Sequence, residues 1–201
     1  MHSVERETLT RDAVIAAARS LIVEESLEAV SLRRIGGALG VTAPALYAHV
    51  SDKRDLLRGV AEFELTQLMS RFQQVTDPDP VARLRQFSRA YIDYAIENPE
   101  LFKTIFLFPP ELPIGLPTGE ELPLATQAFE LPLLAIDEAI RTGRFKPTDT
   151  TTSSLVLWAA THGCADLLLF GFDFDDASRE GLIAAVLDTV IAGLSVELLE
   201  P

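Results

Sequence analysis

The chain has 201 residues, 48% hydrophobic and 23% charged, a globular composition that suits one large domain or a small one joined to a medium one. A single cysteine, Cys164, excludes an intramolecular disulfide and suits a reducing cytoplasm, while no window reaches the roughly 18 uninterrupted apolar residues of a spanning helix. The net charge of −13 is unevenly placed: residues 1–60 hold 8 basic and 8 acidic side chains, and residues 61–201 hold 9 and 22.

Helical periodicity runs through the whole chain, with no convincing strand alternation, so the expected fold class is all-α. The opening residues, MHSVERETLTRD, are charged and have no apolar run, so no signal peptide is expected and the protein is expected in the cytoplasm. From Thr10, a plausible N-cap, apolar residues at Val14, Ala17, Ala18, Leu21 and Ile22 trace the stripe of an amphipathic helix. Ser31 opens a short second helix, SLRRIGGALG, which turns Leu32, Ile35 and Leu39 inward and closes at Gly40. Thr42 begins a third, with Pro44 in its first turn, where the missing N–H costs nothing. Ser51 or Asp52 starts a fourth and longer helix that runs to about Phe72. VTDPDP (75–80) breaks the pattern and is the best domain boundary. Helices are then expected over 81–98, from Pro99 through ELFKTIF, and over 124–142, 150–171 and 178–199, with a proline-rich loop at 109–123.

Three short helices with a glycine turn between the second and third describe a helix-turn-helix. The third helix, TAPALYAH, is poor in core residues: Leu46 and Val50 face inward and leave Thr42, Ala43, Ala45, Tyr47 and His49 outside. Small side chains let a helix approach the floor of the major groove, and Tyr47, His49 and Lys53 are donors at its rim, suited to phosphate oxygens. The N-terminus of the fourth helix adds backbone N–H groups and a positive dipole end. Within 30–60 five bases (Arg33, Arg34, Lys53, Arg54, Arg58) stand against Asp52 and Asp55, so the acidity lies elsewhere. Acids further than the Debye length, about 8 Å at physiological salt, hardly oppose DNA binding.

SLRRIGGALGVTAPALYAHVSDKRDLL resembles the DNA-binding segment of the tetracycline-repressor (TetR/AcrR) family. The features that carry this are the Gly-Val turn, the threonine opening the recognition helix, the Leu-Tyr-x-His run and the lysine opening helix four. The resemblance is close over 10–60 and a matter of helical outline beyond. It implies a helix-turn-helix domain over 1–53, a connecting helix over 54–75, and a helical ligand-binding and dimerisation domain over 76–201. It further implies phosphate anchoring by Thr42, Tyr47, His49 and Lys53, with Arg33, Arg34 and the exposed face of Ala43, Pro44 and Ala45 at base edges. Alanines limit readout there to apolar contact with thymine methyls, which leaves hydrogen-bonded discrimination to the arginines.

In the second half, Trp158 and His162 are four apart and share a helix face, followed by Gly163. The Trp-x-x-x-His-Gly pattern is similar to a subgroup of the same family named for those residues, and NPELFKTIF (98–106) is reminiscent of it. Tyr91, Tyr94, Phe102, Phe106, Trp158 and His162 are therefore the expected lining of a pocket for a small hydrophobic effector, with 109–123 as entrance or lid. The last two helices are apolar nearly all round, which argues for burial on more than one side and a homodimer interface through Leu187, Val190 and Leu194.

The expected function is a ligand-responsive dimeric regulator, most simply a repressor, on a pseudo-palindromic double-stranded operator. Nucleophile elbow, HExxH, P-loop and Rossmann glycines are all missing, so neither an enzyme nor a cofactor is expected. His162 and Cys164 lie two apart on different helix faces and make neither a metal pair nor a dyad. The alternative is a helical small-molecule carrier or interaction protein with a vestigial helix-turn-helix, for which the alanine-rich recognition face speaks.

Overall fold

The structure, a computed structural model, describes residues 9–106 and 123–196. Among them are nine helices: α1 (Arg11–Glu24), α2 (Leu32–Leu39), α3 (Ala43–Leu46), α4 (Lys53–Gln73), α5 (Pro80–Glu97), α6 (Pro99–Ile105), α7 (Pro123–Arg141), α8 (Thr150–Leu169) and α9 (Asp176–Leu194). The one strand-like pairing among the described residues is an isolated antiparallel bridge between Phe145 and Ser195. No helix among the described residues is long and apolar enough to cross a membrane.

The residues fall into two compact units. Described residues 9–64 and 100–106 make the first, and 65–99 and 123–196 make the second. The division falls inside α4, between Glu64 and Leu65, within the stretch 54–75 expected as a connecting helix. A continuous helix offers the sequence no composition shift at the point where its packing partners change.

In the first unit, Val14, Ala18 and Ile22 from α1 form a core with Ile35 of α2, Leu46 of α3 and Val60 of α4, all fully buried. The starts of these helices are local chemistry: Thr10 Oγ1 accepts from Ala13 N–H at 3.1 Å, and Ser31 Oγ accepts from Arg34 N–H at 3.3 Å. Glu64 is completely buried, and its carboxylate receives the Arg19 guanidinium, which also lies over the Phe63 ring. A buried carboxylate of this kind persists only because it is paired.

The second unit is organised around α5, which packs against α7, α8 and α9, while α8 packs against α7 and α9. The inward face of α5 carries Leu84, Phe87, Ser88, Tyr91, Ile92 and Ala95, the three-and-four spacing of a helix stripe. Many of the unit's acids have structural work at helix starts: Asp149 accepts from Thr152 N–H and Asp175 from Ser178 N–H, both at 2.7 Å. Others pair with arginines of α5, as Glu138 does with Arg83, Asp188 with Arg85 and Glu180 with Arg89.

Helices α8 and α9 bury one face each within the chain. On α9 this face is Ile183, Leu187 and Ile191, four residues apart. Leu187 is therefore packed inside its own unit, and Val190 and Leu194 are half-buried beside it. The residues that α9 leaves outside include small ones, Ala185 and Ala192 among them, beside acids such as Glu180 and Asp188. On α8 the outer side presents Val156, Ala159 and Leu167, and Phe170 just past its end is 78% exposed.

Candidate nucleic-acid interface and effector cluster

Helix α2 ends at Gly40, whose φ of +65° is the left-handed conformation that glycine adopts without strain. The chain then turns so tightly that Val41 N–H donates to Gly36 O at 2.9 Å. A Cβ on Gly36 would stand 2.9 Å from Val41 O and 3.3 Å from Ala43 N, so only glycine lets the turn lie against α2. Sequence reasoning singled out Gly40 and missed Gly36, because the requirement comes from a backbone five residues on.

The recognition segment follows. Thr42 occupies the N-cap of α3 and makes no side-chain cap hydrogen bond, so its exposed hydroxyl remains available. Leu46 and Val50 are buried and anchor the segment to the core. Pro44, Ala45 and Tyr47 are exposed, Tyr47 by 58%, while Ala43 and His49 are half-buried. Arg33 is exposed and has no hydrogen bond or ion pair among the described residues. Arg34 is forked onto the Glu25 carboxylate at the end of α1, a surface pair that competes with water.

Lys53 is the exposed first residue of α4. Asp52 Oδ1 accepts from Asp55 N–H and Asp55 Oδ2 accepts from Ser51 N–H, both at 2.8 Å, so both acids of the basic stretch are absorbed in this helix start. Arg11, from the start of α1, grips Asp55 with two nitrogens at 2.7 and 3.1 Å and donates to His49 O at 2.9 Å. That guanidinium holds the Asp55 carboxyl at about 2, below its ordinary 3.8. This arrangement can do one thing well: it offers a short, small-faced helix with hydroxyl, imidazole and ammonium donors at its edge.

In the second unit, Trp158 and His162 of α8 stack nearly parallel, 7° apart with ring centroids at 5.3 Å. Phe129 of α7 meets Trp158 edge-on at 5.4 Å, and Tyr91 of α5 meets His162 edge-on at 6.3 Å. Tyr91 Oη lies 3.2 Å from His162 Nδ1 and also receives a hydrogen bond from Trp158. An indole N–H can only donate, so Trp158 is the donor in that pair. His162 Nε2 is 3.4 Å from Asp166 Oδ2. Burial pushes the Tyr91 phenol well above its usual range, so it stays protonated. Beneath the rings, Thr161 Oγ1 meets Ser88 Oγ at 3.0 Å and Leu157 O at 2.8 Å, both side chains buried.

The structure thus brings Tyr91, Trp158 and His162 together and adds Phe129 and Asp166, which sequence reasoning missed. Tyr94 is almost fully buried, with the Arg71 guanidinium over its ring at 5.2 Å. Phe102 and Phe106 contact one another at 4.6 Å and belong to the first unit, not to the unit of the Trp158–His162 pair. Residues 109–122 of the expected lid lie outside the described residues, and Pro123 opens α7. An open groove of about 270 Å³ between α5 and α9, lined by Arg85, Arg89, Ile183 and Leu187 among others, does not include the aromatic cluster. Cys164 is buried, and no group of acids, histidines and cysteines among the described residues could hold a metal ion.

Residues 14–60 match the model of bacterial regulatory proteins of the tetR family, and residues 84–190 match the tetracyclin repressor-like C-terminal domain. The HTH-type transcriptional regulator YobS of Bacillus subtilis (strain 168) is 28% identical over 100 residues, which are 49% of this chain and 52% of that protein. The class C tetracycline repressor of Escherichia coli is 45% identical over 58 residues, 29% of this chain and 26% of its own. The chain therefore spans about half of the first relative and a quarter of the second. A solved protein of unknown function from Rhodococcus sp. RHA1 superposes with a TM-score of 0.77 at 23% identity, covering 97% of this chain and 100% of that one.

Proposed function

Since the chain belongs to the tetracycline-repressor (TetR) family of transcriptional regulators, we propose that it is a homodimeric repressor of a pseudo-palindromic operator, released by a small hydrophobic effector. The observation that carries the DNA reading is the recognition segment. Buried Leu46 and Val50 hold it from behind, while Thr42, Tyr47 and Lys53 point their donors outward and Arg33 is left uncommitted. In this reading Thr42, Tyr47, His49 and Lys53 take phosphates, Arg33 takes base edges with Arg34 behind it, and Ala43, Pro44 and Ala45 allow close approach to the groove.

A four-residue α3 reads too few base pairs alone, so two copies on related half-sites follow, about 34–36 Å apart or a multiple of one turn. The apolar outer side of α8 with the small residues of α9 supports that pairing. Tyr91, Trp158 and His162 supply the effector site, where the rings favour a flat apolar molecule and the polar atoms orient it. Its differential affinity for the DNA-free arrangement sets the release, typically 5–150-fold.

The test is selection of duplexes from a random pool followed by binding titrations. Lys53→Ala should weaken all sequences alike and lower the salt slope by about 1, whereas Arg33→Ala should cost about 1–3 kcal/mol on the selected site and relax one position per half-site. Failure of the wild-type protein to enrich any sequence refutes the repressor reading. Trp158, the single tryptophan, reports the effector site: its emission should respond to any compound that releases DNA.

A further inference from the structure

We infer that Arg11 is a positioning residue for DNA binding, acting through the His49 carbonyl and the Asp55 carboxylate on the turn that carries the phosphate anchors. The inference rests on the DNA reading above. Between His49 and Asp55 lie Val50, Ser51, Asp52, Lys53 and Arg54, the step from recognition segment to α4. Nothing in such a step is stiff by itself. The described hydrogen bonds show what stiffens it: one guanidinium, arriving from 38 residues upstream, spans from His49 O at 2.9 Å to both carboxylate oxygens of Asp55. The same carboxylate receives Ser51 N–H at 2.8 Å, and Asp52 Oδ1 caps Asp55 N–H at 2.8 Å, so the fork ties the His49 carbonyl before Lys53 to a helix start already capped.

The arrangement has an electrostatic side as well. Asp55 sits in the first turn of a helix whose N-terminus, in the DNA reading, faces a phosphate, where a bare carboxylate would repel it. Arg11 neutralises that charge in place, since all its described hydrogen bonds go to the His49 carbonyl and the Asp55 carboxylate. A lysine keeps the charge but lacks the planar fork that can serve a carbonyl and both carboxylate oxygens together. Arg11 therefore contributes preorganisation rather than contact, and its loss is felt by operator and random DNA equally.

The experiment compares wild type, Arg11→Gln, Arg11→Lys and a control, Ile22→Val, which removes a methylene from the same helix's buried face. Each is titrated with selected and random duplexes at several salt concentrations, well below its thermal midpoint. Arg11→Gln should bind both duplexes roughly 10-fold more weakly, the loss of charge-assisted hydrogen bonds that orient the anchors. The salt slope should stay unchanged, because no phosphate contact is removed. Arg11→Lys should recover only part of the loss, and Ile22→Val should bind as wild type does. Equal binding by Arg11→Gln and wild type overturns the inference alone, as does full rescue by lysine. A slope lower by about 1 makes Arg11 a direct phosphate contact and overturns it too. A comparable loss in Ile22→Val reduces the effect to general stability. Wild-type protein that binds no duplex overturns the DNA reading itself.

Discussion

Two adjacent glycines of α2 should respond in opposite directions to the same substitution. Alanine is favoured over glycine in a helix interior by about 1 kcal/mol. Gly37 has nothing within 4 Å of where its Cβ would lie, so Gly37→Ala should keep most of that gain, about 0.5–1 kcal/mol. At Gly36 the new methyl meets Val41 O at 2.9 Å, Ala43 N at 3.3 Å and Thr42 C at 3.5 Å. All three are backbone, and the first belongs to the residue whose N–H donates to Gly36 O, so the turn must move as a body. Overpacking of this kind costs about 1–3 kcal/mol, and a weakened hydrogen bond about 1 more. Set against the helix gain, Gly36→Ala should destabilise by roughly 1–3 kcal/mol. Urea unfolding followed by circular dichroism, with both variants beside wild type, measures the difference. DNA affinity should fall in Gly36→Ala, since Thr42 and Ala43 shift with the turn. If Gly36→Ala proves as stable as Gly37→Ala, the packing of the turn against α2 is misjudged and the recognition segment is held by something else.

Three further outcomes follow from the site chemistry. The Asp55 carboxyl is lowered to about 2 in the folded chain, so its contribution is fully present above about pH 4 and is lost as pH falls through 2. Asp55→Asn should therefore cost about 1–2 kcal/mol at pH 7, discounted for a partner 38% exposed, with the gap to wild type closing below pH 4 in acid-unfolding curves. Tyr91→Phe removes the bridge between Trp158 and His162 Nδ1 and should destabilise by about 1–3 kcal/mol in urea unfolding, with a changed Trp158 emission. Leu167→Glu combined with Phe170→Asp should yield a monomer by sedimentation without loss of helix signal, because both side chains are exposed in the single chain. An intact dimer would move the pairing surface elsewhere.

What was legible in the sequence was what is local. Caps at Thr10 and Ser31, the left-handed Gly40 and the inward Leu46 and Val50 each depend on neighbours a few residues away, and each is found where the pattern places it. The shared face of Trp158 and His162 is equally local, and Tyr91 joins it because α5 packs on α8. Periodicity marks α9 as apolar without saying which side faces its own chain, so it places Leu187 at a dimer interface, whereas Ile183, Leu187 and Ile191 form the row buried within the chain. Arg11 and Asp55 are 44 residues apart, and neither carries a motif that announces the other. Phe102 and Phe106 resembled pocket lining by type alone; their unit is decided by where α6 returns in the fold.

That return of α6 has a bearing on synthesis. The first unit is discontinuous: residues 100–106 complete it, and Leu101, Phe102 and Ile105 are all buried. A chain emerging from the ribosome thus adds a further 35 residues, 65–99, after Glu64 before the segment that completes this unit arrives. Domains commonly fold in order of emergence, and here the N-terminal unit is completed by a segment made after α5. A chain that stops anywhere between Glu64 and Pro99 leaves the first unit short of three buried side chains.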